Sequence, residues 1–411
     1  MRRAAVAGLA VLAALSAGCS ASSAPAGSGS SPRAAAAHAR PVGVTSAAMP
    51  GCTTATQPAS RLPASDAALT NVPGAPFGVA AAPAGRWAFV GLGGEVGVFR
   101  TAGRGVPSLV RQVTVPVSIQ AGALLGDTMT PGGRYLLVAD GGNGAIVLSA
   151  RAAEDGSPHA VLGALTGPPG QGGAIEVAVS PDARFAFVSL EDAGQIAVFN
   201  LQRALAGGFS PADYVGSIPA QIAPVGLAFS PDGRWLYSTS EIIKFSGEAG
   251  SLSVIDVAKA ETDPAHSVIS RLTAGCNPVR VIASANGSTV WVTARASDAL
   301  LAFSASRLRT DPRHALLAAV SVGEAPVGLV LVRDGTRIVV ADSNRFAVGA
   351  AVSSLAVVDT AAALAGKPAL LGYLPAGRFP REMALEPGGK VLLVTNYASG
   401  QLEAVNVAAL P

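Results

Sequence analysis

One pattern of apolar and polar positions recurs along most of the chain. Its clearest copy is LEPGGKVLLVTNYASGQLEAVNV, from Leu385 to Val407. There a glycine turn is followed by a basic residue, a run of β-forming residues, a short polar loop and a second β-forming run. Short apolar runs bounded by turn residues are typical of strands. The stretch therefore predicts a β-hairpin together with the loop that closes it.

The turn that opens this hairpin occurs seven times. The turns begin at residues 83, 131, 181, 231, 285, 333 and 387, at intervals of 48, 50, 50, 54, 48 and 54 residues. In each unit one apolar run precedes the turn and further runs follow it, which predicts a blade of four short antiparallel strands. Repetition at a fixed period is the signature of repeat folds, and seven such units predict a β-propeller.

The seventh unit is incomplete. It reaches Pro411 after only three predicted strands, while the run from Ala67 to Val72 resembles the fourth strand of the other units. A closed ring also leaves fewer unpaired sheet edges than an open one. We therefore expect an all-β fold: a seven-bladed β-propeller of four-stranded antiparallel blades, closed by an N-terminal strand.

Composition agrees with this fold and narrows the classes of partner. The 411 residues are 50% hydrophobic and 13% charged, with 48 Gly and 29 Pro, which suits many short strands joined by turns. Arg2 and Arg3 lie in a segment that we expect to be removed, and without them 27 basic residues face 26 acidic ones. A nearly neutral protein gives no electrostatic basis for binding nucleic acid.

The N-terminus predicts export. A basic start, an apolar run and small residues are typical of a secretory signal. Its end, LSAGC, resembles a bacterial lipoprotein signal, which implies cleavage after Gly18 and a lipid on Cys19; ordinary cleavage and secretion is the alternative. The predicted organisation is a signal peptide (1–18), a lipidated cysteine with a flexible Ala/Ser/Gly/Pro tether (19–62) and the propeller (63–411). We expect an extracytoplasmic monomer that meets the membrane only through this lipid.

The two remaining cysteines, Cys52 and Cys276, predict a disulfide because the chain is directed to an oxidising compartment. Two buried free thiols are the alternative. Such a bond would carry the segment between Cys52 and Ala67 across one face of the ring, where we expect it to cover part of the channel mouth.

Two short motifs carry a resemblance to a known family. The LVTN of Leu393–Asn396 and the SPDGR turn of Ser230–Arg234 resemble the YVTN-type β-propeller repeats, close to the lactonase-like propellers, and Pro380 with Arg381 resembles the Pro-Arg found in the last unit of that family. The resemblance covers residues from about 63 to 411. It implies a seven-bladed propeller, with members ranging from hydrolases of sugar lactones to cell-surface proteins.

The histidines weigh against a hydrolase. His38 falls in the tether. His159, His266 and His314 fall between the third and fourth strands of their units. We place these connections at the periphery, on the face of the ring that carries the turns between first and second strands. No histidine is then available at the hub as a general base or a metal ligand. The chain also lacks nucleophile-elbow, zinc-protease, paired-cysteine, phosphate-loop and calcium-loop motifs. We expect no metal and no cofactor.

Candidate chemistry appears where the repeats differ. At one position of the innermost strands, three units carry charge instead of glycine: Glu176, Arg280 and Glu382. Asp127 lies one position deeper, where other units are apolar. The other four units carry Gly78, Gly126, Gly226 and Gly328 at the shared position.

These charges allow two interpretations. As a ligand site, Arg280 would bind a carboxylate or phosphate and the two glutamates would accept hydrogen bonds from sugar hydroxyls, with Asp127 and Arg381 as further candidates. Alternatively, Glu176, Arg280 and Glu382 satisfy one another inside the channel, because buried charges need partners. The sequence alone leaves both interpretations open.

The predicted function is a binding or interaction module at the cell envelope. Its partner would be an unknown envelope protein or a small polar or sugar ligand. One alternative is a hydrolase of sugar lactones acting at the channel mouth, and another is a purely structural scaffold. The sequence favours a protein without enzymatic activity but leaves the question open; if the protein is an enzyme, we expect a lactone hydrolase.

Overall fold

Seven antiparallel sheets make up the fold. The computed structural model describes residues 45–52, 67–101, 105–115, 123–243, 249–345 and 353–411. Six of the sheets have four strands and one has five. The innermost strands of successive blades contact one another, and that of the seventh blade contacts that of the first. The predicted all-β, seven-bladed propeller is confirmed.

Two short strands come first in the chain, β1 (Thr45–Ser46) and β2 (Ala67–Asn71). The blades follow, and apart from β1 and β2, which are outermost strands, the first strand of each blade along the chain is the innermost. Blade 1 has β3 (Val79–Ala81), β4 (Trp87–Gly91), β5 (Glu95–Arg100) and β6 (Ser108–Thr114); blade 2 has β7 (Asp127–Met129), β8 (Tyr135–Ala139), β9 (Gly144–Ser149) and β10 (Val161–Thr166); blade 3 has β11 (Ala174–Val179), β12 (Phe185–Leu190), β13 (Gln195–Asn200) and β14 (Tyr214–Pro219).

The remaining blades repeat this order. Blade 4 has β15 (Ile222–Phe229), β16 (Trp235–Ile242), β17 (Ala249–Asp256) and β18 (Val268–Cys276); blade 5 has β19 (Pro278–Ala283), β20 (Thr289–Ala294), β21 (Ala299–Ser304) and β22 (Leu316–Ser321); blade 6 has β23 (Pro326–Val332), β24 (Arg337–Asp342), β25 (Ser354–Asp359) and β26 (Leu370–Pro375); blade 7 has β27 (Pro380–Leu385), β28 (Val391–Asn396), β29 (Gln401–Asn406) and, outermost, β2.

Short helices follow the third strand in several blades, and the apolar pattern did not predict them. The α-helices are α1 (Ala150–Asp155), α2 (Leu201–Gly207), α3 (Val257–Ala260), α4 (Ala305–Thr310) and α5 (Thr360–Leu364), and the 3-10 helices are η1 (Pro211–Asp213), η2 (Pro264–His266), η3 (Arg295–Ser297), η4 (Pro312–His314) and η5 (Val407–Ala409). Each α-helix begins after a Ser, Asn or Asp whose side chain accepts a hydrogen bond from a first-turn N–H. In the described residues, no helix is long and apolar enough to span a membrane.

The N-terminal strand β2 completes blade 7, as predicted. It pairs antiparallel with β29, from Ala67 opposite Val405 to Asn71 opposite Gln401. We call β2 the closing strand. It follows that the blade made last along the chain contains the strand made near its beginning.

The second strand of each blade explains the nearly continuous apolar runs of the sequence. β12, β20 and β28 are buried along their whole length. A strand that is covered on both faces by neighbouring sheets has no solvent side on which polar residues would alternate. The repeated apolar run is therefore a consequence of stacking blades face to face.

The sequence did not predict β1. It pairs with β22 as a fifth, outermost strand of blade 5, with Thr45 opposite Val320. A few residues later Cys52 forms a disulfide with Cys276, the last residue of β18, with 5.4 Å between their Cα atoms. The segment expected to cover the channel mouth (53–66) and Cys19 both lie outside the described residues.

Candidate functional site

Threonine hydroxyl groups join neighbouring blades at the hub. Thr395 Oγ1 donates a hydrogen bond to the Phe77 carbonyl of blade 1 at 2.8 Å and accepts one from the Glu382 N–H of its own blade at 3.1 Å. Thr239 and Thr293 form equivalent bridges to the next blade, at 2.7 and 2.6 Å. The threonine of the LVTN motif therefore stabilises contacts between blades. This structural role is enough to explain why threonine recurs at the position.

Close packing also explains the glycines at the shared inner-strand position. A Cβ atom on Gly126 would lie 2.7 Å from the Ile175 carbonyl oxygen, and one on Gly226 would lie 2.5 Å from that of Val279. Both distances are too short for a real side chain, and backbone atoms cannot easily move away. The glycines reflect the close approach of adjacent inner strands.

The three charged residues at this position contact one another. Arg280 Nε lies 2.8 Å from Glu382 Oε1, and Arg280 Nη2 also contacts that oxygen. The same nitrogen lies 3.0 Å from Glu176 Oε2. We call these three residues the hub network. One guanidinium contacts both carboxylates, as the self-contained interpretation requires, but among the described residues Glu176 Oε2 and Arg280 Nη1 form no hydrogen bond.

Burial dominates the electrostatics of the hub network. The side chains of Glu176, Glu382 and Arg280 are only 16, 15 and 7% exposed. Burial raises the pKa of Glu176 to about 8; Arg280 opposes this shift and Glu382 adds to it. Burial disfavours the charge on Arg280 as well, but the two glutamates outweigh this effect and raise its pKa above the ordinary value.

Asp127 lies beside the network without joining it. Both of its carboxylate oxygens are buried, and neither has a hydrogen-bond partner within the part of the chain that the structure describes. Burial, followed by repulsion from Glu176 and Glu382, raises the pKa of Asp127 well above its usual range. This is the expected response of a carboxyl group that is desolvated next to two others.

An apolar ring lies next to the hub network. The residue that precedes the shared position is Phe77, Leu125, Ile175, Val225, Val279 and Val327 in blades 1 to 6. These side chains form one hydrophobic cluster. Blade 7 departs from the pattern, because Arg381 occupies the equivalent position.

Arg381 is a buried cation without an acidic partner. It is 8% exposed, and in the described residues its guanidinium forms no hydrogen bond or ion pair. Its Cζ lies 3.5 Å from the ring centroid of Phe77, 5.4 Å from that of Phe379 and 5.8 Å from that of Tyr397. Burial, together with repulsion from Arg280, lowers the pKa of Arg381 to about 9. Aromatic faces attract a cation but do not replace its lost hydration.

Arg381 lines a small cavity, which we call the mouth cavity, of about 180 Å³. The apolar ring contributes the aliphatic part of its lining and charged side chains contribute the rest. Glu241 and Arg295 form a two-pronged ion pair there, with N–O distances of 2.8 and 2.7 Å. The full lining is Ile175, Glu191, Val225, Glu241, Val279, Arg295, Val327, Arg345 and Arg381.

Sequence reasoning did not identify Glu191 and Glu241 as site residues. Each lies two residues beyond a bridging hydroxyl of its second strand, Ser189 or Thr239, and Arg295 has the same relation to Thr293. An alignment of the second strands of the repeats contains the signal that would have identified this position. At this position the side chain is acidic in blades 3 and 4 and basic in blade 5.

The histidines of the propeller lie away from the cavity, none of them in its lining. His159, His266 and His314 are exposed, and the last two pair with Asp263 and Asp311 at 2.9 Å. Over the described ranges, no cluster of His, Cys, Asp and Glu side chains is arranged to hold a metal ion.

Comparisons with known proteins agree on the architecture. A family model described as "Lactonase, 7-bladed beta-propeller" matches residues 71–315, more than half of the chain. A search of curated proteins found no match. Among solved structures, hydrazine synthase of Kuenenia stuttgartiensis is 16% identical with a TM-score of 0.64, covering 88% of this chain and 100% of that one. A chain of the mitotic checkpoint complex is 13% identical with a TM-score of 0.64, covering 86% and 98%. At these identities the likeness concerns the fold alone.

Proposed function

The chain belongs to the seven-bladed β-propeller lactonase family, and we propose that it is a binding module for a small anionic ligand in the mouth cavity. The observation that supports this proposal is the unpaired guanidinium of Arg381, 8% exposed and facing the cavity. A buried cation is costly without a counter-charge, and a carboxylate or phosphate would provide one through two parallel hydrogen bonds.

The size of the cavity restricts the ligand. About 180 Å³ is less than the roughly 300–1,000 Å³ typical of pockets for drug-sized molecules. The proposed ligand is therefore a compact molecule with few non-hydrogen atoms. Its anionic group would contact Arg381, and its apolar part would contact the apolar ring.

Binding is tested by thermal unfolding of the full chain with acetate, malate and inorganic phosphate. We expect at least one anion to raise the unfolding midpoint in a concentration-dependent way, because a ligand that binds only the folded state stabilises it. Arg381→Met should weaken this binding at least tenfold. Arg378→Met, an exposed arginine nearby in sequence, is the matched control and should leave it unchanged. If none of the anions shifts the midpoint, the anion proposal is wrong.

A hydrolase of sugar lactones is the second candidate, and one observation favours it besides the family. The pKa of Glu176, raised to about 8, suits a group that exchanges protons near neutral pH. The test is hydrolysis of a panel of sugar lactones. If the protein hydrolyses them and both Glu176→Gln and Glu382→Gln abolish the activity, its function is hydrolysis and not binding alone. A scaffold role gains if neither binding nor turnover is found.

We also propose that the protein works at the cell envelope, through a lipid on Cys19. The support is the signal-like sequence that ends in LSAGC. Cys19→Ala should move the protein from the membrane fraction to the soluble exported fraction. Equal partitioning of both proteins would show that Cys19 does not anchor the chain.

A further inference from the structure

A second unpaired charge, of opposite sign, faces the mouth cavity. Glu191 follows β12 in blade 3, and its carboxylate forms no hydrogen bond or ion pair with the residues described. Burial raises its pKa, as do the nearby carboxylates of Glu241 and Asp192, whereas Arg381 acts in the opposite direction. Glu191 and Arg381 therefore influence each other electrostatically across one cavity without forming an ion pair.

The framework holds these two charges apart. Arg381 extends from β27 in blade 7 and packs on the rings of Phe77, Phe379 and Tyr397. The backbone N–H of Glu191 donates a hydrogen bond to the Gly173 carbonyl at 2.8 Å, which fixes the backbone at the end of β12. In a closed ring of seven blades, two blades separate blade 3 from blade 7 on one side and three on the other. Direct pairing would require one of the two side chains to change its position.

The other charged residues of the mouth cavity do not bring Glu191 and Arg381 together. Glu241 is satisfied by its two-pronged contact with Arg295. Arg345, which also lines the cavity, lies over the ring of Phe379, with its Cζ 5.1 Å from the centroid. The cavity therefore has an acidic side formed by blades 3 and 4 and a basic side formed by blades 5 to 7.

From this arrangement we infer that the ligand is zwitterionic, with a carboxylate on Arg381, an ammonium group on Glu191 and a small aliphatic group on the apolar ring. An α-amino acid with a short branched side chain has this chemistry. The inference rests on the proposed function, since it identifies the class of ligand for the same cavity. Binding would give Glu191 and Arg381 each a partner, and complementary charges at both ends would select against molecules that carry only one.

The test compares L-valine with two analogues that each lack one charge: isovalerate, without the amino group, and isobutylamine, without the carboxylate. Binding to the full chain is measured by calorimetry. We expect valine to bind at least tenfold more tightly than either analogue. Glu191→Gln should reduce valine binding to the level of isovalerate and leave isovalerate unchanged, whereas Arg381→Met should weaken both acids and spare isobutylamine. Asp334→Asn, an exposed carboxylate in a turn that does not line the cavity, is the control.

The outcomes separate this inference from the proposed function. If valine and isovalerate bind equally to the unmodified protein and Arg381→Met weakens both, the anion site stands and the zwitterionic ligand is wrong. The zwitterionic ligand is also wrong if acetate, malate or phosphate binds and valine does not. If neither these anions nor valine and its analogues bind, both proposals fail. Circular dichroism of each variant establishes that a loss of binding is not a loss of folding.

Discussion

Single-residue differences between the blades set the chemistry of the hub. Six blades carry an apolar side chain where blade 7 carries Arg381, and this one difference introduces a cation into an otherwise hydrophobic ring. One position further along, Glu176, Arg280 and Glu382 neutralise one another in part. Charge is therefore present at two levels of the channel, and Arg381, rather than the hub network, lines the mouth cavity.

The raised pKa of Glu176 predicts how stability depends on pH. Between the ordinary value of 4.5 and about 8, the folded protein keeps the Glu176 proton while the unfolded chain has released it. The folded state then binds more protons, so this residue's contribution to the free energy of unfolding falls as pH rises through that window. Glu176→Gln should remove this contribution, and the variant should gain stability relative to the wild type between pH 5 and pH 8.

Urea unfolding at several pH values measures the effect. Asp334→Asn, an exposed carboxylate in a turn, is the control and should keep the pH dependence of the wild type. Parallel pH profiles for Glu176→Gln and the wild type would show that Glu176 does not retain its proton in the folded state.

At the scale of elements, hydroxyl groups of the second strands hold the inner strands of adjacent blades together. Thr395→Val keeps the shape of the side chain but leaves the buried Phe77 carbonyl and the Glu382 N–H without their partner. We expect a loss of about 1–3 kcal/mol in the free energy of unfolding, the usual cost of an unsatisfied buried polar group. Denaturant unfolding measures it.

Thr114→Val provides the comparison, because that hydroxyl contacts Glu95 at an exposed site. Its loss should change stability by no more than about 0.5 kcal/mol. An equally small effect at Thr395 would mean that water or a shifted backbone replaces the bridge.

The sequence predicts the elements well where they repeat. Strands recur with a fixed period and their apolar runs follow from burial on both faces, so their number and order are readable. The helices α1 to α5 have four to seven residues, too few to show a helical period. β1 has two residues and pairs with a strand distant in sequence, so its own pattern contains no signal of its partner.

The candidate site is only partly readable, for a different reason. Aligned repeats place Glu176, Arg280 and Glu382 at one height, but they do not show whether side chains reach across the hub. That Arg280 binds both glutamates depends on distances between blades, which no local pattern contains. Glu191 and Glu241 can be aligned through the bridging hydroxyls of Ser189 and Thr239, but the alignment does not show that both line one cavity.

For the whole molecule, closure by β2 predicts that removing this strand lowers the stability of the propeller. A chain beginning at Ala67 keeps the closing strand, whereas one beginning at Pro73 lacks it and leaves β29 as an unpaired edge. Both chains lack Cys52, so both carry Cys276→Ser to remove the free thiol that would otherwise remain. We expect the shorter chain to unfold at a lower temperature and to self-associate, because exposed strand edges recruit other strands.

Thermal unfolding and size-exclusion chromatography measure these effects. Equal midpoints and equal elution volumes for the two chains would show that the ring is stable without its closing strand.

The position of the closing strand also determines how late in synthesis it can pair. The bridge from Thr395 to Phe77 spans 318 residues, and β2 pairs with a strand at the far end of the chain. At roughly 5–20 residues per second, the ribosome takes on the order of tens of seconds to make the intervening chain. Through that time the closing strand has no partner strand, and only the last residues of the chain complete blade 7.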